Sequence, residues 1–256
     1  AWPYRELDMF CTAYGIQSQA ISGGSQLNDF SGPAGDKFLT ALGYFQRSKL
    51  KLDGHTENML TCYRHINTVH YVDYSGSKPG KFLSLYDSLF FNKAVGARPK
   101  SLTKPNGTLN EALIIEEQLP LLASAFETTT SDLQALLTAL DAELEKDVNG
   151  LVIFHLDNLS HLYRYALLAG GLGLKAQEVL ALIRITGIRP LPIRTEAIDS
   201  QVNTVGIYAV RTWQFLEAAN RIRESGFAIL ELEYLLCGQP GDKAPFFPPK
   251  EEVALV

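Results

Sequence analysis

Cys62, His65 and His70 stand as Cys-x2-His-x4-His, a spacing that superficially suits a metal ion. Thiolate and imidazole are favoured zinc donors, but zinc needs a fourth ligand or an open water position, and nothing nearby completes the set. At helical spacing Cys62 and His65 share a face, while His70 falls beyond the expected helix end. Packed or solvated residues at a helix end are the favoured reading. Gly76-Ser77-Lys78-Pro79-Gly80-Lys81 resembles a phosphate loop and fails as one. Three residues separate its glycines where four are needed, Phe82 stands where Ser or Thr should, and Pro79 removes a backbone donor. There is no Gly-x-Ser-x-Gly and no Ser–His–Asp neighbourhood.

Glu116-Glu117 and Glu251-Glu252 read as solvated faces rather than an acid/base pair. Arg184, Arg189 and Arg194 lie near a Pro-rich turn and can grip a carboxylate or phosphate. A solvated face with charge compensation at a helix C-terminus is the favoured alternative. Asn106-Gly107-Thr108 and Asn158-Leu159-Ser160 fit the glycosylation pattern, the second at an expected helix cap. His55, His65, His70, His155 and His161 can sense pH, with solvated or satisfied rings as the simpler reading. The expectation is a chain with no catalytic, cofactor-binding or metal-binding residues.

The elements around these residues are helical by period. Asn158–Pro190 reads as a helix, a Gly-rich turn and a second helix, an αα-hairpin. Leu159, Leu162, Ala166 and Leu167 form one stripe, and Val179, Leu180, Leu182 and Ile183 the other. Gly170, Gly171 and Gly173 suit a left-handed helix end. Asn158 or Asp157 is the expected cap of the first helix, and Lys175 to Glu178 opens the second. Further helices are expected from Pro3 to about Gly15, over Lys37–Leu50, after Thr56, and after capping boxes at Ser84–Asp87 and Ser131–Gln134, the last running toward Glu145. Asn110–Glu127 is expected to be interrupted at Pro120. A long helix over Val202–Glu224 and a short one over Ala228–Leu236 follow.

Residues 16–35 and 67–81 read as polar loops, and 97–107 as a boundary between lobes 1–104 and 105–238. Residues 239–256 read as a Pro-rich extended tail. Only Val148–Phe154 and Ile188–Ile193 can pair as strands, so the expected class is all-α, a bundle or stack of αα-hairpins with at most a marginal β ribbon. A pattern of leucine or valine, two residues, then two apolar residues begins at Leu7, Leu133, Val179 and Leu232, which suggests a stack of helix pairs. Any amphipathic helix can yield so short a pattern.

Composition narrows the classes. A net charge of −5 argues against general nucleic-acid binding, which needs a concentrated basic surface. Three scattered cysteines, Cys11, Cys62 and Cys237, form no disulfide framework. No apolar run approaches the roughly 18–20 residues of a membrane helix. The start, Ala1-Trp2-Pro3-Tyr4, lacks an initiator Met and a signal-peptide pattern, and reads as part of a longer or processed polypeptide.

Four segments carry a resemblance. Ile66-Asn67-Thr68 with Ser84–Lys93, Leu159–Ala169 with Leu172–Leu174 and Leu180–Ile183, Ser225–Phe227 with Leu232–Leu236, and Trp2–Leu7 are similar, in the same order, to the A component of Tc (toxin complex) insecticidal toxins. Ser84–Lys93 is the most specific. The resemblance implies a place in the α-helical shell that surrounds a pore-forming channel in a pentameric assembly. It further implies a secreted or cell-surface toxin, with B–C cocoon components and the host cell surface as partners of the full-length protein. Catalytic work in that system lies in the C component, so no catalytic residue carries over, and the matching segments include no channel. Two other classes stay open: a stand-alone helical-repeat adaptor for a protein partner, and a helical enzyme whose site is assembled from distant residues.

Overall fold

The computed structural model describes residues 4–14, 33–52, 54–69, 71–73, 80–90, 113–198 and 203–237. The protein is all-α. Its helices are α1 (Tyr4–Tyr14), α2 (Pro33–Lys51), α3 (Thr56–Thr61), α4 (Leu85–Phe90), α5 (Leu119–Ala125), α6 (Thr130–Ala139), α7 (Leu156–Leu172), α8 (Ala176–Thr186), α9 (Arg194–Ile198), α10 (Thr204–Glu224) and α11 (Ile229–Cys237). Short 3₁₀ turns at Ile115–Gln118 and Asp141–Glu143 complete the described helical structure. The one described sheet is a two-stranded antiparallel ribbon, β1 (Tyr71–Asp73) with β2 (Gly80–Phe82), which pairs Val72 with Lys81. It lies where a loop was expected. Val148–Phe154 contributes only single bridges, Lys146–Val152 and Ile114–Ile153, and Ile188–Ile193 forms no strand.

The long helices α2 and α10 lie against each other, and α1 and α3 pack beside them. Helix α8 is held between α6 and α11 and also touches α10. One hydrophobic cluster runs through both groups, from Phe10 and Phe45 through Phe90 and Phe126 to Leu182 and Ile229. The segment expected as a lobe boundary lies outside the described residues, as do residues 15–32 and the tail.

At the centre is α7. An amphipathic helix with one buried stripe was expected, yet α7 is buried nearly all round: Leu159, Leu162 and Leu168 are fully covered, and so are Asn158, Ser160, His161 and Arg164. Its N-cap is His155, three residues before Asn158. Asn158 instead behaves like a piece of backbone. Its side-chain carbonyl accepts from Glu145 N at 2.9 Å, and its amide donates to Glu145 O and Ile153 O, each at 2.9 Å.

The helix ends at Gly173, whose φ of 65° only glycine adopts without cost. Leu174 N bonds Ala169 O and Gly173 N bonds Gly170 O, closing the last turn. Gly170 and Gly171 stay helical, so the flexibility expected of them is not used. Gly171 serves proximity: a Cβ there would sit 2.9 Å from Leu52 Cδ2 and 3.3 Å from Leu52 O. The chain bends by 91° into α8, so the pair is an orthogonal corner rather than an antiparallel hairpin.

Other boundaries moved for local reasons. Pro120 sits in the first turn of α5, where its missing N–H costs nothing, and so starts a helix instead of interrupting one. Thr129, not Ser131, caps α6, its hydroxyl accepting from Asp132 N at 3.0 Å. That helix stops at Ala139, short of Glu145. Asp132 Oδ1 then reaches across to accept from Ala176 N, the first residue of α8, at 2.9 Å. The Ser84–Asp87 cap forms as expected, and α8 opens as expected after Lys175, whose N–H donates to Glu178 Oε2 at 2.8 Å.

Candidate functional site

The polar groups of the interior gather along α7. Arg164, between Tyr163 and Tyr165, is 1% exposed. Its guanidinium closes the carboxyl end of α3, with Nε donating to Thr61 O at 3.1 Å and Nη2 to Arg64 O at 2.9 Å. A cation at that end of a helix meets partial negative charge. Burial still costs it, lowering its pKa to about 10.

One turn toward the N-terminus, His161 lies 3.4 Å from Arg164 Nη1 and places Nε2 3.0 Å from Glu143 Oε2. Burial pushes His161 below its ordinary value. Burial pushes the Glu143 carboxyl up, but His161 and Arg189, which pairs with it, outweigh that and hold it below its usual range.

At the start of α7, Asp157 Oδ1 takes His65 Nδ1 at 3.0 Å, and its Oδ2 faces His155 Nδ1 at 3.4 Å and Arg194 Nη1 at 3.7 Å. Arg194 Nη1 also binds Glu145 Oε2 at 2.9 Å. Glu145, His155 and Asp157 are the one grouping among the described residues with metal-ligand proximity. The cation between its two carboxylates is Arg194, so the protein supplies its own charge there.

The sequence candidates therefore separate. Cys62 is buried with its thiol pushed up to about 12, chiefly by burial, and does not join His65, which turns to Asp157. His70, Glu251, Glu252, Asn106 and residues 76–79 lie outside the described residues. Gly80 and Lys81 are on β2. Glu116 and Glu117 are exposed on the 3₁₀ turn, as a solvated face should be. Arg184, Arg189 and Arg194 do not converge. Each pairs with a different acid, Glu233, Glu143 and Glu145 respectively. Asn158 is fully buried and so closed to glycosylation in the folded chain. Arg164 and Glu143 were missed. The available signal was a lone arginine between two tyrosines, in a helix with little polar surface.

A cavity of about 510 Å³ opens beside this network. Met9 and Asp8 of α1, Leu60 of α3, Arg64 and His65 after it, and Leu156 of α7 line it. His65 has its Nδ1 held by Asp157, an arrangement that presents Nε2 as an acceptor. No family model, curated protein or solved structure matches the chain.

Proposed function

We propose that this chain is a non-catalytic structural segment of the α-helical shell of a Tc-toxin A component, part of a casing around a translocation channel. The observation that carries this reading is an open end in a stack. The repeated apolar pattern falls on α1, α6, α8 and α11, and the last three pack in that order. In α6 its members Leu133, Leu136 and Leu137 are buried, and in α8 Val179 and Leu182 are fully covered. The corresponding Leu235 and Leu236 of α11 are 65% and 66% exposed, beside Phe227 at 55%. The positions that are buried in α6 and α8 are left exposed on α11, the last of the described helices. An element built to be one course of a larger helical wall has this form.

The segments that resemble the toxin component also belong to the framework. Phe90 of α4 and Leu159 and Leu162 of α7 are fully buried, and an aromatic contact at 5.0 Å joins Phe126 to Tyr163 of α7. The partners in this reading are the other domains and subunits of the A homo-oligomer, with the B–C components and the host cell surface engaged by the full-length protein.

Reading the encoding gene outward from both ends of this chain tests the proposal. A continuing frame with a long channel-forming helical region is expected, and frames that close just beyond both ends overturn it. Dye release from anionic liposomes gives a second check. The chain alone should release none, and leakage would count against a purely structural role.

A further inference from the structure

The cavity beside α7 contains two charges that nothing among the described residues answers. Arg64 is half-buried in its lining, and Asp8 of α1 lines the same cavity. Neither side chain has an ion-pair or hydrogen-bond partner among the described residues. The other charged groups of the lining are engaged: Glu57 accepts from Asn67 Nδ2 at 2.8 Å, and His65 is held by Asp157. Behind the wall Arg164 is committed to backbone carbonyls. A guanidinium half removed from water gives up hydration, and that loss is recovered when an acceptor reaches it, most strongly an anion. Burial lowers the pKa of Arg64, in keeping with that loss.

The same lining offers apolar surface, with Leu60 and Ile66 buried and Met9 and Leu156 partly so, alongside the hydroxyl residues Thr12, Thr61 and Thr68. A cavity of about 510 Å³ falls within the roughly 300–1,000 Å³ of small-molecule sites. An anion alone would meet Asp8, and a cation alone would meet Arg64. A ligand bearing both charges satisfies both walls.

We propose that this cavity binds a small zwitterion with an aliphatic body, a free amino acid or a dipeptide, its carboxylate taken by Arg64 and its ammonium by Asp8. The site stands on its own geometry and holds whether or not the chain belongs to a toxin shell.

Calorimetric titration of the full chain with L-leucine and with leucyl-leucine tests this, and the tighter of the two distinguishes the sources. The controls are 4-methylpentanoate, which lacks the ammonium, and isoamylamine, which lacks the carboxylate. Each should bind at least about tenfold more weakly, the loss expected for one charge-assisted contact. Arg64→Gln should remove the preference for the zwitterion over the amine, and Asp8→Asn the preference over the carboxylate. Saturable zwitterion binding with those losses supports the site. No saturable binding by either zwitterion, equal binding by a singly charged analogue, or unchanged affinity in both variants would overturn it. The analogue comparison uses the unaltered chain, so the answer survives even if Arg64→Gln fails to fold.

Discussion

Replacing Arg164 with methionine asks whether a buried charge is holding α3 to α7. The substitution keeps most of the side-chain volume and removes the guanidinium. Two carbonyls then lose a charged donor: Thr61 O, bonded at 3.1 Å, and Arg64 O, bonded at 2.9 Å. Thr61 is 2% exposed and its carbonyl is stranded, at a cost of about 1–3 kcal/mol. Arg64 borders the cavity, so water can replace the donor to its carbonyl and the loss there is nearer 1 kcal/mol. Against this stands relief from desolvating a cation, which in other buried pairs has made apolar replacement neutral or favourable. Here the partners remain behind, so the expected balance is a destabilisation of about 2–3 kcal/mol. Urea unfolding followed by far-UV circular dichroism reads it as a lower midpoint at unchanged slope. Arg164→Lys keeps the charge without the fork and should fall between. A methionine variant as stable as the parent would refute the reasoning and show that desolvation cancels the bonds.

Three further outcomes follow from the same contacts. Asp132→Ala removes the acceptor for the first N–H of α8 together with a partner of the α6 cap, and should cost about 2 kcal/mol; a urea midpoint equal to the parent's would refute that. Leu182→Ala, at a fully covered position, should cost about 2–5 kcal/mol, whereas Leu236→Ala should stay within about 0.5 kcal/mol; equal losses in thermal melts would contradict an open end at α11. Burial holds His65 and His161 below the ordinary imidazole value of 6.5, so the unfolded chain takes up their protons first. Stability is then full above that pH and falls as pH drops through it, with the depressed Glu143 adding to the loss at lower pH; a melting temperature higher at pH 5.5 than at 7.5 would show the sign to be wrong.

Helix existence was legible from apolar spacing because each amphipathic segment must bury its stripe. The period that predicted α7 could not reveal its surroundings. Leu159 and Leu162 read correctly as core, while Asn158 read as a cap, His161 as a solvated or satisfied ring and Arg164 as nothing in particular, because their partners come from distant loops and turns. Asn158 shows the limit well: beside a helix start its residue type implies a cap, and only the returning segment 145–153 offers it better bonds. Thr129 outcompeted Ser131 by geometry within a run of hydroxyl residues that pattern does not rank. The cavity had no signal at all, since Asp8, Arg64 and Leu156 meet only in the folded chain.

The uncovered face of α11 has a kinetic side. Whereas α6 at the other end of the stack also packs on α5 and α7, among the described elements α11 packs chiefly on one helix, α8, reinforced by the Arg184–Glu233 pair. Its amides should therefore open by local unfolding long before those of α8, and exchange their protons faster. Anything that comes to rest on Leu235 and Leu236 raises the cost of that opening. The amides of α11 become a built-in reporter of assembly, slowing when the wall is continued and fast when it is not.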